Sequence, residues 1–397
     1  MVGAIPRPLK RSAGQADRYD DLSINRVKTS DERRDWVLVA DGSRRSGDQG
    51  RAALAAVRAL GAAGFRPAVT VSSRFSLAGR SRYCSRRVAV PPVTDEGFLP
   101  ALRNELASRP YLACLPVSDA VQIMLDAPGA EFLDKEQLAI SAQRAGIPTP
   151  PSRSFDSSAE LVAAADDLEY PVVVKPVVHT YDPFRANSPV ELTKKIVQEG
   201  PVVVQPFLTE QIRSLSGVVW KGTLTAAVHS VWLRIWPSEC GSASAAETVA
   251  PDFELEDRMA TLLRGYDGIF NAQFIGNYLL DLHPRIYGTH SLAMAAGVNQ
   301  VAIYCDLLRG GELPAVRGKA GAFYRWLEGD LRLAYTLVRK RELSLGVAFA
   351  NLRPRRGAAH SIESIGDPGP LLARLSYSTR RLRMSAEERR AGQRLAG

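Results

Sequence analysis

The apolar positions of the chain fall into short runs divided by turn-rich polar stretches, and their spacing changes along its length. Residues 1–34 carry no periodic apolar pattern and read as a mobile arm. Trp36–Ala40 is an unbroken apolar run, as expected of a strand buried on both faces. The turn-rich segment Asp41–Gly50 follows. A helix is then predicted over about 51–63, with Leu54, Val57 and Leu60 at helical spacing and Gly61 and Gly64 closing it. Ala68–Ser72, Val88–Pro91 and Tyr111–Pro116 read as strands and 96–108 as a helix. Strand and helix in alternation predict a parallel sheet covered on both faces. Its working edge is then the carboxyl ends of the strands, at Asp41, Ser72 and Ser118-Asp119. Gly42, Gly47 and Gly50 lack the G-x-G-x-x-G spacing, which argues against a nicotinamide or flavin cofactor.

The pattern then changes. Helices are predicted over about 134–145, 158–168, 190–197 and 252–264, and strands over 170–176 and 201–208. Hairpins are predicted at 217–220 with 223–229 and at 270–275 with 278–282. The stretch around Gly241-Ser-Ala-Ser244 reads as a loop. From 311 onward the pattern reads as helical and Arg-rich, with a helix near 321–338. The predicted organisation is a basic arm (1–34), a Rossmann-like parallel-sheet domain (35–130), a two-part α+β domain (131–310) and a helical C-terminal segment (311–397).

Composition narrows the function classes. No apolar stretch reaches 18 residues, so no transmembrane helix is expected, and the N-terminus has no secretory pattern. The four cysteines are scattered and suit a reducing, cytoplasmic setting. The net charge of +9 invites a nucleic-acid reading, but residues 1–34 and 374–397 hold +3 and +5 of it. Solvated basic tails, with neither a nucleic-acid nor a membrane partner, are the expectation.

Lysine is scarce, at nine against 42 arginines, so Lys135 and Lys175 stand out. Lys175 sits in the apolar run Tyr170-Pro-Val-Val-Val-Lys-Pro176, where an unpaired ammonium would be costly and an anion is expected to meet it. A lysine snorkelling from a strand end is the plainer alternative. Lys135 opens a helix just before Gly146-Ile-Pro-Thr-Pro150, and the two lysines together suit a polyphosphate. Val202-Val-Val-Gln-Pro-Phe-Leu208 is an apolar strand ending in proline. Free backbone groups there, with Phe207 and Leu208 as an apolar wall, could read a purine edge. Glu210 follows at a distance suited to ribose hydroxyls. Asp281 and His283 alternate on one face of a strand, with Gln273 before them and Arg285 just beyond. That set could hold a cation-bound phosphate.

In this order the motifs resemble the ATP-grasp superfamily of carboxylate–amine ligases. The resemblance rests on Lys135, Gly146–Pro150, Tyr170–Lys175, Val204-Gln-Pro-Phe-Leu208, Gly268-Ile-Phe-Asn-Ala-Gln-Phe274 and Leu280-Asp-Leu-His-Pro-Arg285, and spans about 35–310. It implies an α/β and α+β fold, an ATP-grasp domain preceded by a Rossmann-like domain. It also implies an acyl-phosphate ligase that joins a small-molecule carboxylate to an amine. Carried over by motif position, Lys135 and Lys175 bind phosphates. Gln205, Pro206, Phe207 and Leu208 flank adenine, and Glu210 holds ribose. Gln273, Asp281 and His283 take the metal positions, and Arg285 stabilises the transferring phosphoryl group. The family's Glu-x-Asn-Pro-Arg is here Asp281-x-His283-Pro-Arg285. A histidine there suits Mg²⁺ less and Mn²⁺ better, and a degenerate nucleotide binder with a regulatory role is the alternative. His179, Tyr181 and Arg185 are candidates beside the phosphates, and Arg234, Trp236 and the Glu239–Ser244 stretch are candidates for carboxylate recognition. A homodimer is compatible with this reading. Phe323–Asp330 and Asp367-Pro-Gly-Pro370 look like the tail of one bacterial branch. For Gln273 to face Asp281, the hairpin should turn on the three residues Gly276-Asn277-Tyr278, pairing Ile275 with Leu279 and Phe274 with Leu280.

Overall fold

The computed structural model describes residues 35–42, 50–178, 181–196 and 199–380. The predicted arm and the basic end beyond 380 lie outside the described residues, as does His179. The first elements are β1 (Trp36–Ala40), α1 (Gly50–Ala63), β2 (Arg66–Val71), β3 (Arg86–Ala89), α2 (Phe98–Ser108), β4 (Tyr111–Pro116) and α3 (Asp119–Met124). The four strands make a parallel sheet in the order β3-β2-β1-β4. Alternate residues of β1 enter two cores: Leu38 and Ala40 pack with Phe98, Leu102 and Val121. Val37 and Val39 pack with Ala56, Val57 and Leu60 of α1. A strand with both faces in apolar cores has to be apolar throughout, which accounts for the unbroken run.

The second layer runs α4 (Lys135–Arg144), β5 (Arg153–Phe155), α5 (Ser158–Ala163), β6 (Val172–Pro176), β7 (Phe184–Ala186), α6 (Pro189–Lys195) and β8 (Val202–Pro206). Its strands form an antiparallel sheet in the order β5-β8-β6-β7. Val172, Val174, Val202, Val204 and Ala186 fill the core under it. Pairing therefore leaves Val173, Lys175, Val203, Gln205 and Arg185 on the opposite face.

The third layer comprises β9 (Ile212–Trp220), β10 (Thr223–Trp236), β11 (Ser242–Thr248), α7 (Phe253–Leu262), β12 (Gly268–Ile275), β13 (Tyr278–His283), α8 (His290–Ala295), α9 (Gln300–Leu308), β14 (Val316–Arg317), β15 (Phe323–Arg325), α10 (Leu327–Arg339), α11 (Leu345–Leu352) and β16 (Ala359–His360). A last helix, α12, covers 369–380. The eight-stranded sheet runs β13-β12-β9-β10-β11-β15-β16, with β14 beside β10. Phe270, Ala272, Phe274 and Leu215 pack against α4 and α7. On the other face Val218, Val228 and Ile269 share the core of α1 and α9, which joins this sheet to the first one.

Three sequence expectations are corrected here. The stretch read as a loop at 241–244 starts strand β11. The helix expected from 321 starts at Leu327, because Phe323–Arg325 pairs with β11 as a strand. The segment after 311 is not helical throughout, since β14, β15 and β16 all join the large sheet.

Candidate active site

Two sheet faces meet at the candidate site. Lys175 is 7% exposed, and its ammonium forms no hydrogen bond or ion pair among the described residues. Burial pushes its ammonium pKa down, and the nearby Asp281 only partly opposes this. Lys135 sits in the first turn of α4, whose N-terminus Asp134 caps by accepting from the Glu136 and Gln137 N–H groups. The Lys135 N–H donates to Val177 O (3.2 Å), which ties α4 to the segment after β6. Its ammonium lies 3.6 Å from Asp281 Oδ1. Burial works against the Asp281 carboxylate, yet Lys135, His283 and Lys175 together bring its pKa down to about 2. The two lysines and Asp281, 146 residues apart at the extremes by number, are thus one cluster.

The β12–β13 hairpin differs from the expected form. Ile275 pairs with Tyr278 and Phe274 with Leu279, so the turn is the two-residue Gly276-Asn277. Gly276 takes φ +55°, the left-handed backbone that such tight turns need at their first position. A register shift then leaves Leu280 as an extra residue, and Gln273 stands opposite Asp281. The expected facing pair is present, but through a bulge and not a longer turn. The same register sets Asn271 opposite His283. Asn271 is 2% exposed and its Oδ1 has no hydrogen-bond partner among the described residues. It lies two residues before Gln273, and strand alternation alone could have singled it out.

Arg285 is held from the first sheet. Its Nε donates to Asp119 Oδ1 (2.6 Å), and one terminal nitrogen donates to Ile286 O (3.1 Å). His283 Nδ1 stands 3.8 Å from the same Asp119 oxygen. Asp119 opens α3, directly after β4, at the strand edge that the sequence marked. Burial opposes its ionisation, but Arg285 and His283 hold its carboxyl well below the usual range. The sequence placed Asp119 on the working edge but gave it no role in the site.

At the expected purine wall, Gln205 faces the same side as Lys175 and donates from Nε2 to Ser152 Oγ (3.0 Å). Phe207 does not offer a free N–H, since it donates to Pro171 O (2.9 Å). The Arg185 guanidinium lies 4.1 Å over the Phe207 ring. Pro206 is exposed, Phe207 and Leu208 are half-buried, and Glu210 is exposed beside the Gly276 turn. Tyr181 is partly buried, with no hydrogen-bond partner for its hydroxyl among the described residues. Arg234 is not free for a carboxylate substrate: it forks onto Asp330 (2.9 and 2.7 Å), which also accepts from Ser244. Trp236 ends β10, opposite Ser242.

A cleft of about 460 Å³ opens at the carboxyl edge of β2 and β3, lined by Ser72, Ser73, Arg74, Arg80 and Arg87 among others. None of these arginines pairs with a carboxylate among the described residues.

No protein-family profile matches the chain. It is 22% identical over 212 residues to the C-terminal section of the carbamoyl phosphate synthase large chain of Methanopyrus kandleri, covering 47% of this chain and 39% of that one. It spans less than half the length of the curated relatives it matches. N5-carboxyaminoimidazole synthetase from Staphylococcus aureus, complexed with ADP, superposes with a TM-score of 0.56 at 14% identity, over 78% of this chain and 86% of that one. A biotin carboxylase–ATP complex from Campylobacter jejuni superposes with a TM-score of 0.55 at 15% identity, over 72% and 74%. The chain shares the ATP-grasp fold of these structures.

Proposed function

We propose that the chain is an ATP-dependent ligase that activates a small-molecule carboxylate as an acyl phosphate and joins it to an amine. The observation that carries this reading is Lys175: a buried ammonium in no direct ion pair among the described residues, near Lys135 and Asp281, on the open face of a sheet. A buried cation without a partner is costly, and triphosphate oxygens would remove the cost. Two structural neighbours are nucleotide complexes, which supports a nucleotide as the ligand.

In the proposed reaction a carboxylate oxygen attacks the γ-phosphorus, and the bond to the bridging oxygen breaks to release ADP. The amine nitrogen then attacks the acyl carbon and loses a proton, and phosphate leaves with the bonding pair. Lys135 and Lys175 hold phosphate oxygens. Gln205, Pro206, Phe207 and Leu208 flank the base, and Glu210 lies toward the ribose. Arg285, fixed by Asp119, presents its remaining N–H groups to the transferring group. A divalent cation, Mg²⁺ or Mn²⁺, neutralises phosphate charge when bound. Asp281, Gln273 and the orphaned Asn271 Oδ1 suit it, with His283 beside them. Among the described residues there is no cluster of three His, Cys, Asp or Glu side chains fit for a metal. The donor set therefore fits a cation held chiefly by the nucleotide's own oxygens. The arginine-lined cleft suits an acid or amine substrate that carries further negative charge.

The test is a screen of acids paired with amines by phosphate release, followed by mass spectrometry of the product. Nucleotide binding without turnover across a broad panel would favour the degenerate binder instead.

A further inference from the structure

Helix α11 carries no charged residue, and it is poorly buried. Leu345, Val347 and Phe349 are 75%, 47% and 70% exposed, and only Ala348 is buried. Around the helix, Leu345, Gly346, Val347, Phe349 and Ala350 form one continuous exposed arc with no polar side chain. This exposure does not come from a loose end. Ser344 caps the N-terminus, accepting from the Val347 N–H. At the other end the buried Arg325 donates to Asn351 O, Leu352 O and Arg353 O, at 2.8, 3.1 and 3.0 Å. The apolar face is fastened at both ends and turned outward.

The chain on either side of it is mostly basic. Arg339, Lys340 and Arg341 precede the helix, and Arg353, Arg355 and Arg356 follow it, all exposed, against the single acid Glu342. Arg355 pairs with Glu247, while the other five form no ion pair among the described residues. Eight residues make a helix of about 12 Å, so both basic groups lie close to the apolar arc.

We propose that α11 lies in the headgroup region of an anionic lipid bilayer, its apolar arc inserted and the flanking arginines and lysine on acidic headgroups. Apolar insertion combined with cationic flanks is the physical basis of interfacial binding. It is distinct from spanning, which no helix among the described residues can do. The expectation of no membrane partner came from the lack of a spanning segment and from reading the basic tails as solvated, and neither bears on an interfacial helix. A second copy of the chain fits less well, since an arc of three large side chains is small beside the roughly 20–30 residues per side of a stable interface, and like charges would face one another.

The test uses the full chain with phosphatidylcholine vesicles, with and without phosphatidylglycerol, at low and high salt. The chain should sediment with the phosphatidylglycerol vesicles at low salt and stay in solution with the neutral ones. Leu345→Asp with Phe349→Asp should cut the bound fraction about tenfold or more, with an unchanged melting curve and unchanged ATP binding. Phe349→Trp should shift its emission to the blue on the anionic vesicles only. The double variant keeps both basic tails, so unchanged vesicle binding would assign the attraction to the tails and overturn the proposal. A wild-type dimer that the double variant converts to monomer, with no emission shift on vesicles, would assign the face to a second copy and overturn it equally.

Discussion

Replacing Lys175 with methionine should move two measurements in opposite directions. Methionine keeps most of the side chain's length and apolar volume and removes the charge. That ammonium is 7% exposed, in no ion pair among the described residues, and depressed in pKa by burial. The penalty for an unpaired buried ion is of the order of several kcal/mol, and Asp281 returns part of it. Lys175→Met should therefore stabilise the free protein by about 1–3 kcal/mol. For a unit of this size that is roughly 1–2 °C of melting temperature per kcal/mol. Nucleotide binding should weaken, because charge-assisted bonds to phosphate are worth about 1.5–3 kcal/mol, or roughly 10- to 150-fold. The sign with pH follows from linkage. The folded pKa lies below the unfolded value of about 10.4, so the folded state sheds its proton first. Wild-type stability then rises with pH between those two values, and the variant lacks that rise. Urea unfolding across alkaline pH and titration calorimetry with MgATP read both effects. A variant that is less stable without nucleotide, or that binds ATP as wild type does, would refute the reasoning.

Other outcomes follow from the same geometry. Asp119→Asn should lower turnover about tenfold or more while ATP affinity changes only a few-fold, which initial-rate kinetics and calorimetry separate. Asp367, buried, accepts from Arg58, Ser81 and the Arg82 N–H. Asp367→Ala should cost about 3 kcal/mol and strip hydrogen-exchange protection from 369–380. His290 is fully buried and pushed down to about 4, with Gln300 opposing. Stability should fall by up to about 3 kcal/mol as pH drops from 6.5 to 4, and His290→Phe should flatten that stretch of the urea profile.

The lysine pair was legible because each lysine broke an otherwise apolar or helix-opening context, and because so few compete with them. Strand β11 was not. Its Ser-Ala-Ser-Ala-Ala run has little strand propensity, and it is extended because β10 and β15 supply ladders on both edges. Ala243, Ser244, Ala245 and Ala246 are fully buried there. Asp119 was marked as a strand-edge residue, but its partner Arg285 is 166 positions away. Nothing local announces a contact at that range. Asp367 behaves the same way: its motif was visible, and its task of fastening α12 to α1 and the segment at Ser81 depends on tertiary structure.

The β12–β13 hairpin shows where local and global signals part. Gly276-Asn277 favours a two-residue turn, and that turn forms. A regular ladder from it would set Ala272 against Asp281 and send Gln273 to the far face. The extra residue Leu280 corrects the register. Beside the bulge, on the open edge of the sheet, the Leu279 N–H donates to Pro148 O (2.8 Å), in the segment after α4. That segment follows the helix that carries Lys135, so the hairpin and the lysine are anchored through one neighbourhood. Deleting Leu280 should leave Gln273 opposite Asp281 in a regular hairpin, since the turn already pairs Ile275 with Tyr278. If register is what builds the site, the deletion variant keeps ATP affinity within about fivefold while losing about 1 kcal/mol with the disturbed Leu279–Pro148 bond. Calorimetry and thermal unfolding measure the two. A loss of ATP binding in a variant that still folds would show that the bulge's twist, and not the facing pair, positions Asp281 for the lysines.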